Sequence, residues 1–260
     1  MRTLFLIALA CLAACGQEAE APAFPKSACE LHSFEGSNFT LCSERSGKIE
    51  IRSAAKDGTP FRSFAALETA LGPRAKRVAF GMNAGMFDQE GRAIGLLIED
   101  GKQLHPLNRR KGGGNFHLMP NGVFAVRRDG QAEVVTTDAF QLKPDIVFAT
   151  QSGPMLVIDG KLHPRLDRDG TSHYVRNGVG IGPDGKPVFV ISNDEVSFGK
   201  LARFFRDGLK VKNALYFDGS ISSLWDPVNG RRDAGVPVGP MVVAFKAEAS
   251  APDPEVPAKP

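Results

Sequence analysis

The stretch Ala214-Leu215-Tyr216-Phe217-Asp218-Gly219-Ser220-Ile221-Ser222-Ser223-Leu224-Trp225 joins two apolar runs through an Asp-Gly pair and three hydroxyls. Four Asp-Gly pairs of another kind, Asp100-Gly101, Asp129-Gly130, Asp159-Gly160 and Asp184-Gly185, are each followed by Lys or Gln and then by apolar residues resuming. Those four read as hairpin turns, where glycine accepts positive φ without a Cβ clash. Asp218-Gly219 instead ends an apolar strand and opens onto Ser220, Ser222 and Ser223. A carboxylate and hydroxyls at a strand end suit a polar ligand better than a reversal; the alternative is an ordinary turn with capping serines.

Outward from this stretch, strand signals dominate. Short β-branched or aromatic runs bounded by Gly, Asp or Asn predict strands at 39–42, 48–52, 77–83, 94–99, 122–127, 132–136, 155–158, 188–191, 213–217 and 241–245. Two helices are expected, 64–71 capped by Ser63 and 198–207 capped by Ser197, each with an apolar stripe at helical spacing. The order shows neither a βαβ alternation nor an internal repeat. The fold class is therefore α+β, a single domain of mixed or antiparallel β-sheets with few helices.

The chain start bears on the compartment. Arg2 precedes an apolar run over 4–14 that is too short to span a bilayer, which takes about 20 residues, so it reads as a secretory signal. Its end, Leu12-Ala13-Ala14-Cys15, resembles a bacterial lipobox, which implies a lipid on Cys15 and a membrane partner through that anchor. By the same resemblance, Gly16 rather than Asp after the cysteine implies the outer membrane, facing the periplasm; a soluble secretory signal cut nearby is the alternative. The expected divisions are signal 1–14, flexible tether 15–27, folded domain 28–247 and a Pro/Ala-rich disordered tail 248–260. With Cys11 in the signal and Cys15 lipidated, Cys29 and Cys42 remain, expected as one disulfide in an oxidising compartment, with two free buried thiols as the alternative.

Several chemistries are disfavoured. A net charge of +3 with charges interspersed does not describe a nucleic-acid binder. His32, His105, His117, His163 and His173 show no zinc-type spacing, and no metal or cofactor is expected. Gly178-Val179-Gly180-Ile181-Gly182 leads into Pro183-Asp184-Gly185 rather than a helix, so it reads as a strand close to another backbone, not a dinucleotide loop. Ser152 lacks the Gly-x-Ser-x-Gly elbow of serine hydrolases. Asn108-Arg109-Arg110-Lys111-Gly112-Gly113-Gly114-Asn115-Phe116 puts three cations beside three glycines, where backbone can approach a phosphate; a solvated loop is the alternative.

What remains is a set of polar, glycine-flanked clusters at strand ends. They are Asn83-Ala84-Gly85-Met86-Phe87-Asp88, Gln151-Ser152-Gly153-Pro154, Arg176-Asn177-Gly178, Asn193-Asp194 and Asp218-Gly219-Ser220. Brought together by one sheet, they could line a single cleft of amide, hydroxyl, guanidinium and carboxylate groups, suited to a sugar and a phosphate.

Four of these blocks, Asn83-Ala84-Gly85-Met86-Phe87, Gln151-Ser152-Gly153-Pro154, Arg176-Asn177-Gly178 and Asp218-Gly219-Ser220, together with Asn121-Gly122-Val123-Phe124 and Asp159-Gly160-Lys161, occur in the order seen in the phosphodiester glycosidase family, and the chain resembles its bacterial branch from about residue 39 to 245. The resemblance implies hydrolysis of a sugar 1-phosphodiester, with a sugar-phosphate or glycan as partner. Many members have Asp-Gly-Gly-Gly-Ser where this chain has Asp218-Gly219-Ser220-Ile221-Ser222, so substrate identity is not carried over. On this reading Asp218 is base, nucleophile or charge stabiliser, Arg176 binds phosphate, and Asn83, Ser152 and Asn177 hydrogen-bond sugar and phosphate. Asp194 and Asp88 are the alternative carboxylates, either of which could be a structural cap. Gly85, Arg109, Arg110, Asn115, Gly153, Asn193, Gly219 and Ser220 complete the expected substrate contacts. The competing functional reading is a non-catalytic glycan- or peptidoglycan-binding envelope module.

Overall fold

The computed structural model describes residues 26–44 and 47–247. The lipobox-like Leu12-Ala13-Ala14-Cys15, the tether up to residue 25 and the tail from 248 lie outside the described residues. The chain begins with β1 (Cys29–Phe34), β2 (Ser37–Cys42) and β3 (Lys48–Arg52), then α1 (Phe64–Leu71) and β4 (Val78–Asn83). Next come β5 (Leu97–Glu99), β6 (Lys102–His105), β7 (Gly122–Arg127), β8 (Ala132–Thr136) and β9 (Ile146–Ser152). The third stretch holds β10 (Met155–Ile158), β11 (Lys161–Leu162), β12 (Asn177–Ile181), β13 (Pro187–Ser192) and α2 (Phe198–Arg203). It closes with β14 (Ala214–Tyr216), β15 (Leu224–Asp226), β16 (Arg231–Arg232) and β17 (Met241–Phe245).

Three sheets form, with strand orders β1-β2-β13-β12-β14-β10-β11, β16-β15-β4-β17-β3 and β6-β5-β9-β7-β8. The strand pairs within them are antiparallel. Both helices start where a serine can cap them: the Ser63 hydroxyl accepts from Ala66 N–H and that of Ser197 from Lys200 N–H, each at 3.1 Å. The second helix is shorter than its periodicity predicts. It changes at Phe204 into a wider turn that runs to Gly208, which keeps Phe204 and Phe205 buried.

The inward faces of all three sheets share one core. Phe189 of β13 meets Phe80 of β4 at 5.4 Å and Phe124 of β7 at 5.6 Å between ring centroids, so a single side chain bridges the three layers. Burying a phenylalanine in this way stabilises the fold by roughly 1.5–3 kcal/mol. The outer face of the largest sheet is covered by α2 through Leu201, Phe204 and Phe205, and α1 covers Trp225, Met241 and Val243. Cys29 and Cys42 sit directly opposite each other on β1 and β2 and are joined as a disulfide. A cross-link closing so short a loop contributes on the order of 3 kcal/mol. Among the described residues, no helix is long and apolar enough to cross a membrane.

Antiparallel order has a consequence for the site. The β4, β13 and β14 carboxyl ends and the β12 amino end meet at one edge, because β12 runs against β13 and β14 and Asn83 reaches Asn177. Polar residues at those ends are gathered there by topology alone.

Candidate functional site

Two buried asparagines knit this edge together. Asn83, the last residue of β4, donates through Nδ2 to the Asp218 carbonyl at 2.8 Å and accepts through Oδ1 from Asn177 Nδ2 (2.9 Å) and Ser223 N–H (2.8 Å). Asn177 Nδ2 also reaches the Asn83 carbonyl at 2.8 Å, and its Oδ1 accepts from the Ser222 hydroxyl at 3.2 Å. Asp218 N–H in turn donates to the Ala84 carbonyl at 3.2 Å. The backbone of Asp218 is thus held on both its N–H and its C=O by the β4 end. Asn83 and Asn177 are 1% and 0% exposed, so these amides position Asp218; they do not present free groups to a sugar. Losing one partner strands a buried amide, at a cost of about 1–3 kcal/mol.

Arg176 has a similar fate. It is 1% exposed, and donates from Nε to Val196 O (2.8 Å), from Nη1 to the Tyr216 hydroxyl (3.0 Å) and from Nη2 to Ser172 O and Oγ (2.9 and 3.0 Å). Its guanidinium lies 3.7 Å from the Phe198 ring centre. The expected direct phosphate contact therefore gives way to a different role, because protein acceptors already hold the donors and the group is sealed from solvent. What Arg176 does is fix Tyr216. Burial pushes the Tyr216 hydroxyl up to about 12, with Asp218 reinforcing and Arg176 and the Gly219 backbone opposing. A phenol in that state keeps its proton at neutral pH.

Gly219 explains its own presence here. A Cβ on it would lie 1.7 Å from the Tyr216 hydroxyl, so only glycine lets the chain turn over that group. Ser220 shares the short turn Gly219–Ile221 that leads from Asp218 to β15.

A second cluster adjoins the first through Gln151. Its side chain accepts from Leu96 N–H (3.0 Å) and Asn108 N–H (2.8 Å) and donates to Asn108 O (2.7 Å), fastening the loop that carries Arg109, Arg110 and Lys111. On the other side Gly85 packs so closely that a Cβ would sit 2.6 Å from the Gln151 carbonyl and 2.3 Å from the Thr150 hydroxyl. Ala84, which holds Asp218, is the neighbour of Gly85, so the cation loop and Asp218 lie on either side of one short segment.

That loop borders a cleft of about 380 Å³ lined by Asp88, Ala93, Ile94, His105, Asn108, Arg110, Lys111 and His117. His117 Nδ1 lies 2.9 Å from the Arg110 carbonyl, and Gly112 packs against the His117 ring. Arg109 turns away to pair with Asp138 at 3.1 Å. Asn115 is exposed and starts the turn Asn115–His117. Asp88 accepts from Arg92 N–H and Nε, both at 2.9 Å; the backbone hydrogen bond from Arg92 is the main cause that holds its carboxyl below the usual range.

The remaining expected residues divide. The hydroxyls of Ser152 and Thr150 are buried with no hydrogen-bond partner among the described residues, on the face of β9 that meets Gly85. Gly153 packs against Asn121 and the Phe116 carbonyl. Asn193 and Asp194 follow β13, two strands away from β14, roughly 10 Å at the usual strand spacing. Asp194 accepts from Asn38 N–H at 2.7 Å, and Asn193 accepts from Thr40 Oγ1 and Arg231 Nη1, both at 3.1 Å. Asp194 and Asp88 each accept a backbone N–H away from the Asn83–Asn177 junction, and Asp218 is the carboxylate-bearing residue whose backbone that junction holds. Tyr216 and Gln151 are two organising residues that the sequence placed within the strand-end blocks without assigning either a role of its own. A hydroxyl and an amide inside otherwise apolar strand ends were the available signals. Among the described residues, no three His, Cys, Asp or Glu side chains converge as a metal-binding group.

The sequence pattern of the phosphodiester glycosidase family matches residues 76–245, and the chain belongs to that family. A curated relative, Uncharacterized protein YigE of Escherichia coli (strain K12), is 40% identical over 149 residues, covering 57% of this chain; the chain spans 58% of that relative's length. The fold is similar to the catalytic domain of zebrafish N-acetylglucosamine-1-phosphodiester alpha-N-acetylglucosaminidase, auto-inhibited by its pro-peptide. The TM-score is 0.57 at 18% identity, over 84% of this chain and 81% of that one. A hypothetical protein from Synechocystis shares the fold with a TM-score of 0.52 at 13% identity, over 84% and 61% of the two chains.

Proposed function

We propose that this glycosidase-type protein is an exported, lipid-anchored hydrolase that cleaves the bond between the anomeric carbon and the phosphate oxygen of a sugar 1-phosphodiester. The observation that carries the reading is the position of Asp218, its backbone clamped by Asn83 and Ala84 beside the Arg176–Tyr216 pair, one short segment away from the cation loop. Phosphate is already a good leaving group, so strong protonation of the leaving oxygen is unnecessary. Water attacks the anomeric carbon, the C1–O bond breaks with its electron pair passing to the phosphate oxygen, and Asp218 takes the water proton while countering the developing positive charge. Arg110, Lys111 and the Gly112–Gly114 backbone receive the phosphate charge from the adjoining cleft.

The test is a panel of sugar 1-phosphodiesters incubated with the purified protein, headed by the methyl phosphodiester of N-acetylglucosamine 1-phosphate because the zebrafish relative acts on that linkage. Release of reducing sugar is the expected outcome. Saturable binding with no release would identify a glycan-binding module instead. The anchor rests on Leu12-Ala13-Ala14-Cys15, and the Cys29–Cys42 disulfide fits an oxidising compartment. Cys15→Ser should abolish fatty-acid labelling, and equal labelling of the variant would remove the lipoprotein assignment.

A further inference from the structure

Tyr174 borders the Arg176–Tyr216 arrangement and has no part in the chemistry described above. Among the described residues, the large apolar side chains left exposed are Leu31, Leu104, Leu142, Tyr174 and Val236; Tyr174 is the aromatic one, 53% exposed. A lone exposed apolar side chain ordinarily calls for no explanation. This one is held in place. Its N–H donates to Val196 O at 3.3 Å and its carbonyl accepts from Val196 N–H at 2.9 Å, a two-way bridge to the segment before α2. Two residues earlier, Ser172 is gripped by Arg176 Nη2 through its carbonyl and its hydroxyl. Farther back in the same loop, Arg203 Nη1 donates to the Arg168 carbonyl at 2.6 Å.

The ring also has a defined neighbourhood. Arg176 Cζ lies 5.4 Å from the Tyr174 centroid, 3.7 Å from that of Phe198 and 5.6 Å from that of Tyr216. Three rings therefore box one guanidinium, and the Tyr174 centroid comes within about 10 Å of the Tyr216 hydroxyl that touches Gly219. Aromatic faces carry negative charge, which attracts the weakly positive C–H face of a pyranose, and a ring that is already fixed loses little freedom on contact.

We propose that Tyr174 is the platform on which the sugar ring of the substrate stacks, making it a specificity-determining residue of the site. The inference rests on the sugar 1-phosphodiester reading and adds where the sugar lies: over Tyr174, with the phosphate directed toward the cation loop. Recognition on this side comes from a pyranose face, not from charge.

The full chain and its Tyr174→Ala and Tyr174→Phe variants are titrated calorimetrically with the N-acetylglucosamine diester, and separately with inorganic phosphate as a sugar-free probe; turnover is followed in parallel. Tyr174→Ala should weaken diester binding and raise KM about tenfold while kcat stays within about twofold, since stacking acts on ground and transition states alike. Inorganic phosphate should bind both variants as it binds the wild type, Tyr174→Phe should restore diester affinity, and thermal unfolding midpoints should coincide. Equal diester affinity in wild type and Tyr174→Ala, with turnover intact, overturns the platform and leaves the hydrolase reading standing. A parallel loss of inorganic phosphate binding overturns it too, since the ring would then be supporting the site as a whole. A wild-type chain that neither binds nor cleaves any sugar 1-phosphodiester overturns both.

Discussion

Asp159-Gly160 and Asp218-Gly219 are the same dipeptide in two unrelated jobs. The first connects β10 to β11, with φ of 47° at Asp159 and 76° at Gly160, the left-handed pair that a two-residue hairpin requires. A Cβ on Gly160 would meet nothing within 4 Å, so glycine serves the backbone there. Asp218 has an ordinary extended backbone, φ −94° and ψ 94°, and Gly219 is needed because the Tyr216 hydroxyl occupies the place of a side chain. One glycine answers a torsional demand and the other a contact. A torsional demand shapes the fold, whereas this contact brings a carboxylate, a proton-bearing phenol and a guanidinium within reach of one another.

Substitutions can separate the two directly. Asp218→Asn keeps size and most hydrogen bonding while removing charge, so it should lower kcat by roughly 10²-fold or more in a turnover assay with the responsive diester. A wild-type rate would place the chemistry elsewhere. Gly219→Ala forces the Tyr216 hydroxyl to shift, and should cost about 1–3 kcal/mol in denaturant unfolding together with roughly tenfold in kcat. Gly160→Ala should cost about 1–2 kcal/mol for the left-handed backbone and leave kcat untouched; a matching loss of turnover would erase the distinction. The smallest effect belongs to Asp159→Asn. Asparagine tolerates the same conformation, so stability should move by no more than about 0.5 kcal/mol and activity not at all.

The same contrast marks what could be read before the fold was known. Hairpins at Asp100-Gly101, Asp129-Gly130, Asp159-Gly160 and Asp184-Gly185 were legible because their cause is local: a turn type, a residue that accepts it and apolar runs on either side. Ser63 and Ser197 announced both helices for the same reason. The strand β9, Ile146–Ser152, was not among the expected strands. Thr150, Gln151 and Ser152 look like loop residues, yet all three are buried, and Gln151 serves as a bracket for a distant loop. The edge strand β1 was missed as well, since Glu30, His32 and Ser33 carry little apolar signal. Within the site, Asp218 stood out from its neighbours, but the part played by Arg176 did not. Only tertiary structure shows that Val196, Tyr216 and Ser172 take up its hydrogen bonds.

Hydrolysis of the responsive diester in ¹⁸O-labelled water, followed by mass analysis of both products, tests most directly whether the junction around Asp218 breaks a glycosidic bond. Attack at the anomeric carbon places the label in the reducing sugar and leaves the phosphomonoester unlabelled. Label recovered in the phosphate product would mean that the P–O bond breaks, and would contradict the account.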